Sequence, residues 1–511
     1  MKRNKMVSKG LLSVILLVLA CCFNPENALC ICLSTETVEV QPSGLSNTSL
    51  AFDWASQPHV CYTAPLSRSD SDIWIKYAFR DKGIWKVEPV VPQDDLGIIN
   101  KAIIKLNKEG KPYIFIGFWA DNQYNVSRIY KMDSIWQIDD LYQSEAGDDY
   151  LLGAGCTFAL DIRTDPVLLR PHIVLIATSR PENRSEIRYV RPDGSGWIPH
   201  ILAEHSSGNN YFFSPSLAID RLGRAHIVYS SHWLENFWGN WWTMGKFEYA
   251  QWDGSRWTRE LLLGPINDGL YQGFPSRLVL DSGNRPHICL SIFRARGGGL
   301  IYLRREGYYN WESEIIGYGI HSSEFALTVD FDDNAHIAYH SYNPDDADEP
   351  GEVRYLVGDG SSFEEELVEA NHESSEFSIG IDWQKKPHII YHDYNQGLNH
   401  ACEGYSIAGK ISGWPWVWDR ENRMFRTSGI AGVQVTVQDA RGTILLAHSA
   451  YTNAEGYYTV ECLPGQKNYT VVPSKFSYRF YPADKSLWLW RDTENISFSG
   501  LPFYVSFGLA D

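Results

Sequence analysis

SLAIDRLGRAHIVY, residues 216–229, is the stretch that decides the fold. An alternating apolar run ends at Asp220, a short polar turn holding Gly223 follows, and a second apolar run opens on His226. That is two half-buried strands joined by a tight hairpin. The phrase returns as SLAFDWASQPHVCY (49–62), AIIKLNKEGKPYIF (102–115), FALDIRTDPVLLRPHIVL (158–175), RLVLDSGNRPHICL (277–290), ALTVDFDDNAHIAY (326–339) and SIGIDWQKKPHIIY (378–391). A unit recurring at this period marks a repeat architecture, in which each unit buries its apolar faces against its neighbours.

Outward from the hairpin, each repeat adds a third strand signal, such as DIWIKYAFR, SEIRYVR, KFEYAQW or GEVRYLV. A turn then leads to a fourth, such as WKVEPVV, WQIDDLY, WTRELLL or FEEELVE. Four strands in about 50 residues, repeated radially, predict a β-propeller. The seventh copy lacks a fourth-strand phrase after GLNHACEG (397–404), and STETVEV (34–40) has the matching pattern. The expectation is an all-β, seven-bladed β-propeller over 33–404, closed by an N-terminal strand that removes an exposed sheet edge.

The chain has 511 residues, enough for more than one domain, and a formal charge of −17, which argues against nucleic acid or an anionic membrane surface as partner. Residues 1–32 read as an export signal: Lys2, Arg3, Lys5 and Lys9 precede an apolar run from Leu11 to Cys22 that is short for a bilayer span. The Leu-Ala-Cys ending at Cys21 also fits a lipoprotein cleavage site, so both free secretion and a lipid anchor at Cys21 stand open. No transmembrane span is expected in the mature chain. Cys61 and Cys289 fall at equivalent strand positions in distant repeats and read as buried thiols.

A second module covers 405–511. Gly409 to Gly413, Gly432-Val433-Gln434-Val435, Thr452 to Tyr458, Leu463-Pro464-Gly465 and Tyr478-Arg479-Phe480-Tyr481-Pro482 carry its pattern. It resembles the carboxypeptidase-regulatory-like, prealbumin-like domain, which implies a C-terminal Ig/prealbumin-like β-sandwich serving as spacer or adhesive appendage. Residues 33–404 resemble the secreted bacterial propellers of the sialidase-like or lectin-like repeat type, a fold that hosts lectins, hydrolases and lyases. The Phe/Tyr-Arg-Ile-Pro signature of true sialidases is absent.

Asp53, Asp161, Asp220, Asp281, Asp330 and Asp382 end the first strands, and His59, His172, His226, His287, His336 and His388 open the second. The second copy loses both together, to Asn107 and Tyr113. Joint departure marks a pair that touches across the hairpin, a staple rather than a set of active sites. Function is therefore sought on the opposite face, where loops diverge. There the segment Ser231 to Gly245 carries Trp233, Phe237, Trp238, Trp241 and Trp242, a stacking platform for sugar rings or a loop folded onto itself. His321 and His372 join this ligand-binding set. His340, Tyr342, His392 and Tyr394 form an alternative catalytic cluster, of a chemistry that propeller-shaped polysaccharide lyases use. The rival reading of these phrases is repeat consensus.

The acidic run Asp345-Asp346-Ala347-Asp348-Glu349 matches no calcium loop, so no cofactor or resident metal is expected, with Ca²⁺ or a transition metal as the alternative. The leading expectation is a secreted or cell-surface, non-catalytic protein recognising an extracellular glycan or protein. The alternative is an extracellular polysaccharide lyase or glycoside hydrolase using the His/Tyr cluster.

Overall fold

The computed structural model describes residues 33–40, 45–67, 72–81, 84–144, 156–160, 166, 170–179, 184–194, 196–205, 210–237, 240–267, 275–292, 299–307, 310–318, 320–342, 351–370, 374–413, 417–419, 424–426, 429–463, 465, 467–489 and 492–502. The described residues are all-β, with one short 3-10 turn at Gln93–Asp95. Four-stranded antiparallel sheets recur along the chain, over 46–92 (sheet one), 98–143 (two), 157–205 (three), 210–267 (four), 276–318 (five), 320–370 (six) and 374–403 (seven). This is the arrangement of a β-propeller. Sheet seven supplies three strands of its own, and strand Leu33–Glu39 is its fourth, pairing antiparallel with Gly397–Glu403 from Leu33↔Glu403 onward.

The strand sequences explain their order. Second strands such as Pro58–Pro65, Pro286–Ile292 and Pro387–Asp393 are buried at every residue, because neighbouring sheets cover both of their faces. Fourth strands such as Ile135–Gln143 and Phe363–Ala370 alternate toward solvent at the rim. The apolar cores lie between sheets. Ile75 and Val91 of sheet one pack with Ile104 and Ile114 of sheet two. Phe115 of sheet two packs with Phe158 of sheet three, and so on round the chain. The last core joins Val38, Ile390 and Leu398 to Val60, Tyr62 and Ala78, so sheet seven packs on sheet one.

Five of the hairpins are pinned by the expected Asp–His pair. His Nε2 lies 3.5 Å from the carboxylate in Asp220–His226 and Asp382–His388, 3.3 Å in Asp281–His287 and Asp330–His336, and 3.9 Å in Asp53–His59. Asp161 lies outside the described residues. The other carboxylate oxygen accepts two backbone N–H groups of the turn, as Asp281 does from Gly283 (2.8 Å) and Arg285 (2.7 Å). Asn107 keeps that half of the device, accepting from Glu109 and Lys111 at 2.9 Å. In Asp281 burial pushes the carboxyl up, and the bonds from Arg285 and His287 outweigh it, holding the group below its usual range.

The sequence reading missed a third member. A tyrosine of the third strand donates to His Nδ1: Tyr77 to His59 at 2.5 Å, and Tyr189, Tyr249 and Tyr302 to His172, His226 and His287 at 2.6 Å. The carboxylate takes the Nε2 proton, which leaves Nδ1 as the acceptor the phenol needs.

Residues beyond 404 form two further four-stranded sheets that share one core, with Val435, Val471 and Leu489 facing Ile407, Ile411 and Val460. They meet the repeat region at Glu36. Its carboxylate binds Arg80 and Trp85 of sheet one, His400 of sheet seven and Lys467 of the C-terminal unit. Arg80 is buried and its guanidinium also reaches Gly465 O at 3.0 Å.

Asp281→Ala is expected to cost about 2–3 kcal/mol, since it strands buried donors. Asp281→Asn, copying Asn107, retains the turn acceptor and costs about 1 kcal/mol. Urea unfolding midpoints of the two variants check the ordering.

Candidate functional site: the axial cavity

The first strands begin with a shared irregularity. Register shifts fall between Ser46 and Ser49, Ile99 and Lys101, Phe213 and Ser216, and Ser375 and Ser378. Asn47, Ser214 and Glu376 sit at these bulges with φ of 55°, 44° and 56°. Left-handed backbone at non-glycine residues is strained, and bulges re-aim side chains. Here they border one cavity of about 510 Å³, lined by residues of sheets one to five and seven, where the first strands converge.

Two cations and one carboxylate give the cavity its character. Lys101 Nζ donates to Thr157 Oγ1 (2.8 Å) and Phe158 O (2.9 Å). Burial and the neighbouring Arg277 guanidinium push its amine down to about 7. Arg277 donates to Ser276 O at 3.1 Å and lies over the Phe325 ring, leaving much of its surface open to the cavity. Glu376 Oε2 accepts the Asn47 N–H at 3.1 Å. Asn100 is oriented by its bond to Cys156 O (2.9 Å) and by Tyr124, whose hydroxyl donates to Asn100 Oδ1 at 3.2 Å. Lys105, further along the same strand, is also held low by burial. Amides, hydroxyls and cations that converge in a concave site of this size are what a small polar anion or sugar acid needs.

None of these residues stood out in the sequence reading. One signal was present: Arg277 stands four residues before its Asp, where the aligned copies carry Ser49, Ser216, Ala326 and Ser378. Ser49 and Ser216 use their hydroxyls to bind the next sheet's backbone, at Ile104 and Leu278. Arg277 replaces that staple with a charge.

The residues named from sequence lie elsewhere. The expected loop of sheet four is a strand extension: Ala225–Phe237 pairs with Asn240–Trp252 without a break from His226↔Gln251 to Phe237↔Asn240. Trp241 lies opposite Asn236 and Trp242 opposite Glu235 in this register. Trp233 is half-buried, with its indole donating to Glu235 at 3.2 Å. Trp238, His372 and the run 345–349 lie outside the described residues, as do the side chains of Phe237, Trp241, Trp242 and His321.

His340 and His392 are buried at matching ends of the second strands of sheets six and seven. His392 has its Nδ1 3.4 Å from Ser375 Oγ, and burial holds its imidazole low against the opposing effect of Asp393. Asp393 caps the following turn by accepting from Asn395 and Gln396 at 2.7 Å. Tyr342 is half-buried and Tyr394 exposed, and none of the four lines the cavity. Cys61, Cys156, Cys289 and Cys402 are buried free thiols. Among the described residues no helix is long and apolar enough to cross a membrane.

No family model and no curated protein matches the chain. Solved structures do resemble it. An ulvan lyase described as a new family of polysaccharide lyase aligns with TM-score 0.43 and 13% identity, over 71% of this chain and 94% of that one. The α-L-arabinanase of Penicillium chrysogenum, complexed with arabinobiose, gives 0.40 and 9% over 64% and 98%. The NanB sialidase of Streptococcus pneumoniae gives 0.35 and 12% over 78% and 73%. These neighbours are a polysaccharide lyase, an arabinanase and a sialidase, and likenesses of this degree assign no activity to this chain.

Lys101→Met is expected to raise the melting temperature below about pH 7. The unfolded chain holds the Lys101 proton up to its ordinary 10.5, while the folded chain releases it near 7. The cost of charging the buried amine is therefore complete below about 7 and fades as pH rises toward about 10.5. Melting curves of the variant and the parent across that range should converge at the alkaline end.

Proposed function

We propose that the chain is a secreted or surface-held propeller that recognises an acidic glycan in its axial cavity. The repeated sheets act as seven blades over 33–404. The two C-terminal sheets act as a prealbumin-like sandwich over 405–511 that spaces the propeller from its attachment. The observation that carries this reading is the pairing of Arg277 and Lys101 in a polar cavity that also offers Asn47, Asn100 and Glu376. A guanidinium can take a sugar carboxylate in two parallel bonds, and the amides and Glu376 suit ring hydroxyls.

A second reading, of an extracellular polysaccharide lyase, is favoured by one further observation. An amine pushed down to about 7 is in part a free base at neutral pH, and it stands beside a guanidinium. That combination suits proton abstraction α to a uronate carboxylate: Arg277 neutralises the carboxylate and Lys101 takes the C5 proton. The C4–oxygen bond breaks as the C4=C5 double bond forms, the departing oxygen taking a proton from the Lys101 ammonium or from water.

Calorimetric titration with oligogalacturonate and its carboxyl-reduced, neutral counterpart tests the binding reading. The acidic ligand should bind and the neutral one should not. Arg277→Gln should weaken binding about 10–100-fold, the loss of a charge-assisted pair. Equal affinity for both ligands, or an unchanged Arg277→Gln, would sink the proposal. Affinity should also rise as pH falls from about 8 to about 6, because Lys101 gains its proton there, and Lys101→Met should flatten that slope. The lyase reading is checked by the ultraviolet absorbance of unsaturated product. Absorbance that grows with the parent and not with Lys101→Met supports catalysis, and a flat trace with bound ligand leaves recognition alone.

A further inference from the structure

Sheet seven departs from the staple of its neighbours. His388 keeps its carboxylate, with Nε2 3.5 Å from Asp382 Oδ2. The third-strand tyrosine is replaced by His400, whose Nε2 lies 2.9 Å from His388 Nδ1 and whose Nδ1 lies 3.0 Å from Glu36 Oε1. Cys402 follows two residues later on the same strand. One ligand atom from each of His388, His400 and Cys402 falls within 4.8 Å of the others, and all three residues are buried.

The protons in this chain of groups do not add up. The Asp382 carboxylate accepts the backbone N–H groups of Gln384 and Lys386 at 2.8 Å, and the Glu36 carboxylate pairs with Arg80 and Lys467. Each carboxylate accepts only, so His388 must carry its hydrogen on Nε2 and His400 on Nδ1. That leaves two bare lone pairs, His388 Nδ1 and His400 Nε2, facing each other at 2.9 Å. In sheets one, three, four, five and six a phenol donates at this point, as Tyr302 does to His287. A cation seated between the two nitrogens would take the place of that hydrogen.

We propose that His388, His400 and Cys402 hold a single zinc-class metal ion, placed where the closing strand completes sheet seven. Both imidazoles bind neutral through their inward nitrogens, and each donates its outer N–H to a carboxylate, the arrangement that orients metal-bound histidines. Metal–nitrogen bonds of about 2.0–2.1 Å and a metal–sulfur bond of about 2.3 Å fit the spacing with small side-chain rotations. Cys402 is a buried free thiol, and the ion displaces its proton to solvent as the thiolate forms. Ser34 Oγ, 3.9 Å from Cys402 Sγ, offers an oxygen from the closing strand itself. The site is independent of the axial cavity, whose lining shares no residue with it.

The test uses the full chain, reduced and freed of metal by chelator. Zinc and cobalt are added alone, with metal content read by mass spectrometry and cobalt by its thiolate charge-transfer band. The expected result is one equivalent of metal, a charge-transfer band, one proton released and a raised unfolding midpoint. His400→Tyr copies the residue of the other sheets and should fold without metal, while losing about 100-fold or more in zinc affinity. Cys402→Ser should abolish the charge-transfer band. The proposal is wrong if the parent binds no zinc at millimolar concentration, or if His400→Tyr and Cys402→Ser bind it as the parent does.

Discussion

Among the described residues, no sheet of the repeat region owns a core. Its apolar residues face the sheets before and after it, so each unit is half of two interfaces and stable only between neighbours. An end left open would expose both an apolar face and an unpaired strand edge. The packing of Val38, Ile390 and Leu398 on Val60 and Tyr62 answers both demands, and it depends on a strand from the far end of the chain. Glu36 sits on that strand and binds side chains from sheet one, sheet seven and the C-terminal unit. One carboxylate thus links sheets one and seven, whose association closes the ring, to the C-terminal unit.

Repetition also shapes what the side chains can do. The Asp–His–Tyr device has one consistent proton arrangement, with the carboxylate fixing the tautomer and the phenol supplying the last hydrogen. Where the pattern breaks, something has to change. Asn107 with Tyr113 gives up the pair and stacks Tyr113 on Tyr130 instead. His400 keeps the geometry and inverts the hydrogen bonding. Arg277 abandons a small hydroxyl for a charge at the axis.

Most of the repeat pattern was legible because strand period, Asp-turn-His spacing and the missing fourth strand are local signals. The axial cavity was not. Lys101, Arg277 and Glu376 are far apart in sequence, and the lysine that opens KAIIKLNKEG (101–110) carries no sign that five other strands surround it. The histidines and tryptophans were more conspicuous by type, and type alone does not tell a wall from a lining. His392 is a case: chemically apt, on the right strand end, and not part of the lining. The tryptophan segment of sheet four was misjudged as a loop because Asn236, Gly239 and Asn240 signal turns, whereas strand pairing carries on to Phe237↔Asn240.

The sequence by itself determined the all-β repeat, the hairpin device at each Asp and His, and the need for a strand from outside the seventh copy. Those follow from period and from pairs a few residues apart, which obey local sterics and hydrogen bonding. Only the tertiary structure decided which side chains share a space: two cations at the axis, a carboxylate at the seam, two imidazoles and a thiol in the last sheet. Their meeting depends on how sheets pack around the ring, and no spacing along the chain encodes that distance.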